Sequence, residues 1–407
     1  MLYKKLATGI LVFLLAANVV GTSASELGAS RLSRHGEQKM AEALLDWQQV
    51  NSNGFGDPQE LEVSALEPFN GYLYAGTHNL VAPGPVPIFD GGRIFRAPDG
   101  VTWAPVTQPG FGNPHDSAAP AILDFVVFGN QLYASTGWGG NPGQIWRTSN
   151  GVSWAPMVTS GFGDPDIHDI TALAVYNGMI YAGASSQVSR AQIYRSYSGD
   201  SSAWNPVAPP TSTMPGASVT GLTVFNSALW ATVESEAPVQ IWRTSGGAWT
   251  VVNSNGFGNS DTIQTGGMAV FGGYLYVGVG NTADGPQLWR TNNGTGWTQV
   301  TSPISVDPNN QQVEMVSVFE NYLYVSVKNT VTGLEVWRTA DLVTWEQVNA
   351  DGFGDSNNTG TNRSSASANF LNQFYVGTSN SVTGGEVWRM LQQLVLKQFM
   401  YLPLIRH

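Results

Sequence analysis

The stretch WQQVNSNGFGD at residues 47–57 matches WEQVNADGFGD at residues 345–355 almost residue for residue. The second copy lies at the end of one of several repeated units of the chain. The first copy precedes the first of these units. A strand displaced in this way predicts that the two ends of the chain complete one shared unit.

The unit itself is a repeat of about 48 residues, found by following two short signatures. The first is an apolar segment with an aromatic residue, present as Tyr72–Ala75, Gln131–Ala134, Met179–Ala182, Ala228–Ala231, Tyr274–Val277, Tyr322–Val325 and Gln373–Val376. The second ends in arginine, at Arg96, Arg147, Arg195, Arg243, Arg290, Arg338 and Arg389, which by subtraction are 51, 48, 48, 47, 48 and 51 residues apart. A fixed period of this length indicates one supersecondary unit copied seven times.

Each repeat predicts four antiparallel strands, which we call strands A to D. Strand A is apolar, strand B carries the first signature and strand C the second, and strand D carries an outer tryptophan. Turns such as Asn70-Gly71 between strands A and B have the residues that tight hairpins require. The sequence therefore predicts an all-β fold, a seven-bladed β-propeller of four-stranded antiparallel blades.

The outer tryptophans predict how the ring closes. The first six repeats have one each, at Trp103, Trp154, Trp204, Trp249, Trp297 and Trp345, and no tryptophan follows Arg389. Trp47 supplies the missing copy, so the N-terminal strand is expected to complete the last blade, begun by residues 362–390. Sharing a blade removes the unpaired strand edges that an open ring would expose.

The turn between strands C and D resembles a known motif. Arg-x-x-Asp/Asn-Gly-x-x-Trp, at residues 96–103 and 147–154, is similar to the Asp-box hairpin of sialidase-like propellers. The motif degrades at Ser198-Gly199-Asp200, which is extended, and at Ser245-Gly246-Gly247, which lacks the acid. Because Asp-boxes are structural turns, the resemblance implies the fold and no particular chemistry.

Composition excludes several classes of function. The net charge is −11 without a basic cluster, so nucleic acid is not an expected partner. There is no cysteine, which excludes disulfides, thiolate catalysis and a lipid-anchored N-terminal cysteine. We expect a monomer.

The ends of the chain predict secretion. Lys4 and Lys5 precede an apolar run and then small residues near Ala24, which indicates a signal peptide at 1–24 and a secreted or cell-surface protein. We expect no membrane span after cleavage, a linker with a short helix at 25–44, the propeller at 45–390 and a tail at 391–407.

The connections between strands B and C and between strands D and A vary widely in length. We therefore expect the ligand-binding face on the side of the propeller where these connections lie. Five D–A connections carry Gly-Phe-Gly-Asp/Asn, at 54–57, 110–113, 161–164, 256–259 and 352–355. They are interpreted as repeated turns in which phenylalanine plugs between blades. The alternative is structural Ca²⁺ bound by Asp355 and Asn357 or by Asn259 and Asp261; otherwise no cofactor is expected.

Residues that depart from the repeat are the candidate ligand-binding residues. Trp138, in the B–C loop Gly137-Trp138-Gly139-Gly140, suits stacking on a sugar ring. The other candidates are acids and histidines of the first three repeats: His78, His115, His168, Asp116, Asp166 and Asp124.

Three hypotheses of function follow. The preferred one is a non-catalytic recognition module that binds a glycan or an extracellular protein through its loop-rich face. The second is a hydrolase or lyase, sialidase-like or lactonase-like, that uses the acids and histidines of repeats 1 to 3. The third is a structural protein of envelope assembly. The sequence assigns no catalytic residue.

Overall fold

The computed structural model describes residues 46–79, 91–112, 121–138, 141–186, 191–207, 217–235, 238–361 and 363–391. The predicted signal peptide, linker and most of the tail lie outside these residues, as do His115 and Asp116. The chain divides into two units, at Met1–Ala43 and Leu44–His407, and only the second contains described residues.

The described residues are almost entirely strands and turns. The strands in chain order are β1 (Trp47–Gln49), β2 (Glu60–Phe69), β3 (Tyr72–Asn79), β4 (Ile94–Ala97), β5 (Ala104–Pro105), β6 (Ala121–Phe128), β7 (Gln131–Gly137), β8 (Ile145–Thr148), β9 (Ala155–Val158), β10 (Ile167–Tyr176), β11 (Met179–Ser186), β12 (Gln192–Ser196), β13 (Asn205–Pro206), β14 (Ser218–Phe225), β15 (Ala228–Glu234), β16 (Gln240–Thr244), β17 (Thr250–Asn253), β18 (Thr262–Phe271), β19 (Tyr274–Asn281), β20 (Gly285–Thr291), β21 (Thr298–Gln299), β22 (Asn310–Phe319), β23 (Tyr322–Asn329), β24 (Gly333–Thr339), β25 (Glu346–Gln347), β26 (Ser367–Phe370), β27 (Gln373–Gly377) and β28 (Val387–Met390). Short 3₁₀ segments lie at Asn53–Gly56, Pro109–Gly112, Gly161–Gly163, Gly256–Gly258, Pro303–Ser305, Asp351–Gly354 and Ser364–Ala366. No helix in these residues is long and apolar enough to cross a membrane.

The strands form antiparallel sheets that follow the repeat. One sheet has four strands, in the order β1-β28-β27-β26, and three sheets have eight, each made of two four-stranded repeats. The inner strands β2, β6, β10, β14, β18, β22 and β26 contact one another in sequence, and β26 contacts β2. These findings confirm the predicted all-β propeller; the count of seven blades stays a prediction of the sequence repeat.

The ends of the described chain pair as predicted. Strand β1 lies antiparallel to β28, with Trp47 opposite Met390 and Gln49 opposite Trp388. The Val50 amide extends this ladder by donating to the Val387 carbonyl at 2.9 Å. The N-terminal strand therefore completes the last sheet, which confirms closure by the termini.

The hydrophobic core lies between neighbouring repeats. One cluster, for example, joins Ala65 and Phe69 of the first repeat to Ile122, Phe125 and Leu132 of the second. A core divided in this way holds each repeat against the next, which fixes the positions of the loops at the strand ends.

The Gly-Phe-Gly turns lie beside the strand-C aromatic residues of five repeats. The phenylalanines themselves have positive φ, between 55° and 62°, where glycine alone was expected to. Each ring stacks on the strand-C aromatic residue of the next repeat; the pairs are Phe55–Phe95, Phe111–Trp146, Phe162–Tyr194, Phe257–Trp289 and Phe353–Trp388, with centroids 3.9–4.8 Å apart. The turn is thus a packing element, as the preferred interpretation predicted.

The repeated strand-C arginines are also structural. The guanidinium of Arg96 lies 4.2 Å from the ring centroid of Tyr72, and Arg338 lies 4.4 Å from that of Tyr322. Arg147 reaches the next repeat, with its Nη1 2.8 Å from Asp200 Oδ1. These arginines therefore stack on aromatic rings and link neighbouring repeats.

Candidate binding site at the mouth of the channel

The candidate site lies where strand-B ends meet strand-A beginnings, at one end of the channel that the inner strands surround. Gly137 ends β7 and lets the chain pass Asp169 of β10 closely, since a Cβ at Gly137 would lie 2.6 Å from Asp169 Oδ1. The next amide, that of Trp138, donates to the same carboxylate oxygen at 2.5 Å. This hydrogen bond joins repeats 2 and 3 and holds the backbone of Trp138.

Trp138 projects an aromatic ring at this mouth. It is 44% exposed and has a φ of 68°, a left-handed backbone conformation that residues other than glycine seldom adopt. The guanidinium of Arg363 lies 5.7 Å from its ring centroid, and the His78 ring meets it edge to face with centroids 4.8 Å apart. Two neighbours therefore orient a tryptophan that remains exposed.

Arg363 begins a segment that crosses the channel. The segment includes Ser365, whose Oγ donates to the carbonyls of Ser64 and Leu123 at 3.3 and 3.4 Å. Arg363 Nη1 donates to the Thr171 carbonyl at 3.3 Å. This chain from repeat 7 thus contacts repeats 1, 2 and 3, beside a cavity of about 230 Å³ lined by Asp124, Thr220, Met268 and Arg363 among others.

Three carboxylates lie close enough to the guanidinium to interact with its charge. Asp124, Asp169 and Glu234 each interact with the charge of Arg363, which favours their ionised forms. Burial nevertheless raises the pKa of Asp124 to about 7, and it raises the pKa of Asp169 and of Glu234. The ionised carboxyls are therefore poorly solvated at this mouth, and one arginine does not offset the loss.

The same carboxylates also accept hydrogen bonds from the backbone. Asp124 accepts from the amides of Phe125 and Leu173 at 2.8 and 2.7 Å, and Glu234 accepts from the Thr265 amide at 2.9 Å. The bonds from Leu173 and Thr265 link neighbouring repeats, and the bond from Phe125 is local. The carboxylates thus have a structural role besides setting the charge of the channel.

The structure brings together some of the candidate residues. Trp138 and His78 are in contact, and Asp124 lies on an inner strand beside the channel, as predicted. In the described residues no hydrogen bond or ring contact joins His168 to Trp138 or His78, and Asp166 lies in the turn before β10, where its amide donates to Asp164. His115 and Asp116 lie outside the described residues.

The calcium candidates belong to turns of two different repeats. Asp355 Oδ1 accepts from the Asn357 amide and side chain at 2.9 and 2.8 Å, and Asn259 Oδ1 accepts from the Asp261 amide at 2.9 Å. In the described part of the chain no group of three or more His, Asp or Glu side chains is placed to hold a metal. Calcium binding at these residues stays a prediction.

Arg363, Glu62 and Glu234 were not singled out from the sequence. Glu62 Oε2 lies 3.9 Å from His78 Nδ1, so it belongs to the surroundings of Trp138. Arg363 carried a detectable signal, because it does not occupy the repeated arginine position of strand C. The two glutamates gave no comparable signal, since single acids on strands are common.

Comparison with known proteins supports the fold. No protein-family model matches the chain, and no curated protein matches it. A PL25 ulvan lyase, a polysaccharide lyase bound to -[GlcA(1-4)Rha3S]-, has a TM-score of 0.55 and 11% identity, covering 83% of this chain and 94% of that chain. A further ulvan lyase structure has a TM-score of 0.54 and 12% identity with the same coverage. The phage phi92 endosialidase has a TM-score of 0.48 and 11% identity, covering 89% of this chain and 72% of that chain. At such identities the likeness shows the fold alone, that of a β-propeller.

Proposed function

We propose that the protein is a non-catalytic recognition module that binds a glycan at the channel mouth, with one sugar ring stacked on Trp138, and that it acts outside the cell. The observation that carries this proposal is the exposed indole of Trp138, oriented by His78 and Arg363. A flat aromatic face packs against the apolar C–H face of a sugar, while neighbouring polar groups bond its hydroxyls.

Two further observations support a binding role over a catalytic one. Asp124 and Asp169 accept hydrogen bonds from backbone amides, which assigns both carboxylates a structural task. His78 is 9% exposed, so its ring packs against Trp138 more than it faces a ligand. The ulvan lyases that share the fold make polysaccharides the first ligand class to test.

The test is a glycan-array screen of the purified protein, followed by calorimetry with the best ligand. Trp138→Ala should weaken binding roughly tenfold or more, about 1.4 kcal/mol, because the stacking surface is lost. The matched control is Tyr197→Ala, which removes a 72% exposed aromatic side chain near the C–D turn, at the opposite end of the strands. It should leave affinity unchanged.

Two results would contradict the proposal: the absence of any bound glycan, or equal affinity in Trp138→Ala. Product analysis of the bound glycan completes the experiment. Cleavage that depends on His78 or Asp169 would favour the hydrolase or lyase hypothesis instead.

A further inference from the structure

We infer that the channel mouth prefers a sugar that carries an amino group and discriminates against glycans rich in uronate or sialate. The inference rests on the proposed glycan binding at Trp138, and it names the ligand class from the charges around that side chain.

The charged groups of the mouth are predominantly acidic. Asp169 holds the Trp138 amide, and Glu62 lies beside His78, which in turn contacts the Trp138 ring. Asp124, on an inner strand, and Glu234, at the end of a strand B, interact with the charge of Arg363. Among the described residues these four carboxylates lie near one arginine, and the other cation at a strand-B end, Lys328, belongs to repeat 6.

Arg363 is poorly placed to attract an acidic sugar. Its charge already interacts with three carboxylates, and its Nη1 donates to the Thr171 carbonyl. An anionic ligand that reached Arg363 would therefore come close to Asp124, Asp169 and Glu234. Like charges in a partly desolvated channel repel strongly, since the local dielectric is lower than that of water.

Arg93, another cation in the neighbourhood of repeat 1, does not change this balance. Its Nε lies 3.2 Å from Glu60 Oε1, and its Nη2 lies 3.4 Å from Asp57 Oδ2. Two carboxylates thus offset its single charge. The first repeat therefore adds no unpaired cation to the mouth.

An ammonium group gains from the same arrangement. A cation above an indole face is attracted by the ring quadrupole, by about 0.5–2 kcal/mol depending on desolvation. Carboxylates nearby, above all Asp169 at the Trp138 amide, add Coulomb attraction. Burial raises the pKa of Asp124 and of Asp169, so a cation bound beside them would also favour their ionised forms. A positively charged sugar supplies such a cation.

The test compares three tetrasaccharides by calorimetry at one pH and salt concentration: glucosamine, N-acetylglucosamine and galacturonate oligomers. The glucosamine oligomer should bind at least about tenfold more tightly than the N-acetylated one, and the galacturonate oligomer should bind most weakly. Raising NaCl from about 0.05 M to about 0.5 M should weaken the binding of the glucosamine oligomer, because salt screens charges. The affinity for the N-acetylated oligomer should stay nearly unchanged.

Substitutions of single carboxylates show which of them cause the preference for the glucosamine oligomer. Asp169→Asn keeps an oxygen that can accept from the Trp138 amide but removes the charge, so it should reduce the preference for the glucosamine oligomer several-fold. Glu62→Gln should act in the same direction. Asp200→Asn is the control, because Asp200 is an exposed carboxylate of a C–D turn, at the opposite end of the strands. This substitution should leave the affinities for all three oligomers unchanged.

The outcomes separate the inference from the function on which it rests. Equal or tighter binding of galacturonate, or equal binding of the acetylated and free amino sugars, overturns the inference while Trp138-dependent glycan binding stands. If Trp138→Ala affects no ligand and no glycan binds, both fail. A preference that survives Asp169→Asn and Glu62→Gln unchanged also overturns it, because the carboxylates would not be its source.

Discussion

Two carboxyl groups on neighbouring inner strands, Glu67 and Asp124, titrate near neutral pH. Burial raises the pKa of Glu67 to about 8, with a further increase from the nearby charge of Asp124, and burial raises the pKa of Asp124 to about 7. Their ordinary values are 4.5 and 3.8. The folded protein therefore binds more protons than the unfolded chain between about pH 4 and pH 8.

This proton uptake predicts that the protein loses stability as the pH rises from about 4 to about 8. A group whose folded pKa is raised stabilises the fold most below its unfolded pKa, and that stability is lost as pH rises through the folded pKa. At about 1.4 kcal/mol per pKa unit, Glu67 accounts for on the order of 3–5 kcal/mol. Urea unfolding of the wild type and of Glu67→Gln, at about pH 5 and about pH 9, measures how much of the free energy of unfolding each protein loses between the two pH values. The variant should lose clearly less stability than the wild type; an identical loss in both would contradict the assignment.

At the scale of elements, the Gly-Phe-Gly turn explains how the outer strands are held. Phe111 stacks on Trp146 with centroids 4.2 Å apart and meets Trp154 at 6.0 Å, although its φ of 57° is unfavourable for a side chain. The packing of the ring must outweigh the backbone cost, which is about 1–2 kcal/mol.

Two substitutions of Phe111 separate the packing of its ring from the strain of its backbone. Phe111→Ala should lower the free energy of unfolding by about 2–3 kcal/mol, less than for a fully buried ring because Phe111 is half-buried. Phe111→Gly should cost less than Phe111→Ala, since glycine adopts positive φ without strain. Urea titration of both variants gives the comparison. An alanine variant more stable than the glycine variant would show that the backbone is not strained here.

The strands and their turns were predictable because the repeat shows them seven times. The positive φ of the phenylalanines was not, since sequence rules assign that conformation to the adjacent glycines. The contact between Trp138 and His78 was not predictable either, because it joins two repeats, between the end of β3 and the residue that follows β7. Arg363 stood out by its position outside the repeat, but its partners could not be predicted because they are about 130 to 240 residues away, a distance that no local pattern spans.

At the scale of the whole molecule, the closure of the ring depends on a three-residue strand. Trp47 anchors β1: its indole nitrogen donates to the Val348 carbonyl at 2.9 Å, and its ring meets Phe353 with centroids 5.2 Å apart. Trp345 holds the corresponding place in repeat 6 within a continuous repeat, and its indole nitrogen has no hydrogen-bond partner among the described residues. The pair offers a matched comparison of the seam with an ordinary repeat.

Trp47→Ala should therefore destabilise the protein at least as much as Trp345→Ala, by about 2–4 kcal/mol in each case. It should also promote association, because the edge of β28 loses its cover. Urea unfolding and size-exclusion chromatography of both variants measure these effects. A cost below about 1 kcal/mol for Trp47→Ala alone would mean that β1 contributes little to closing the ring.

A crystal structure of the protein with its tightest-binding oligosaccharide tests glycan recognition at the channel mouth most directly. We expect one sugar ring stacked on the exposed face of Trp138, with polar contacts to Asp169 or its neighbours. A sugar bound elsewhere, for example in the 560 Å³ cleft lined by Asp284 and Asp307, with Trp138 uncovered, would contradict the proposed site.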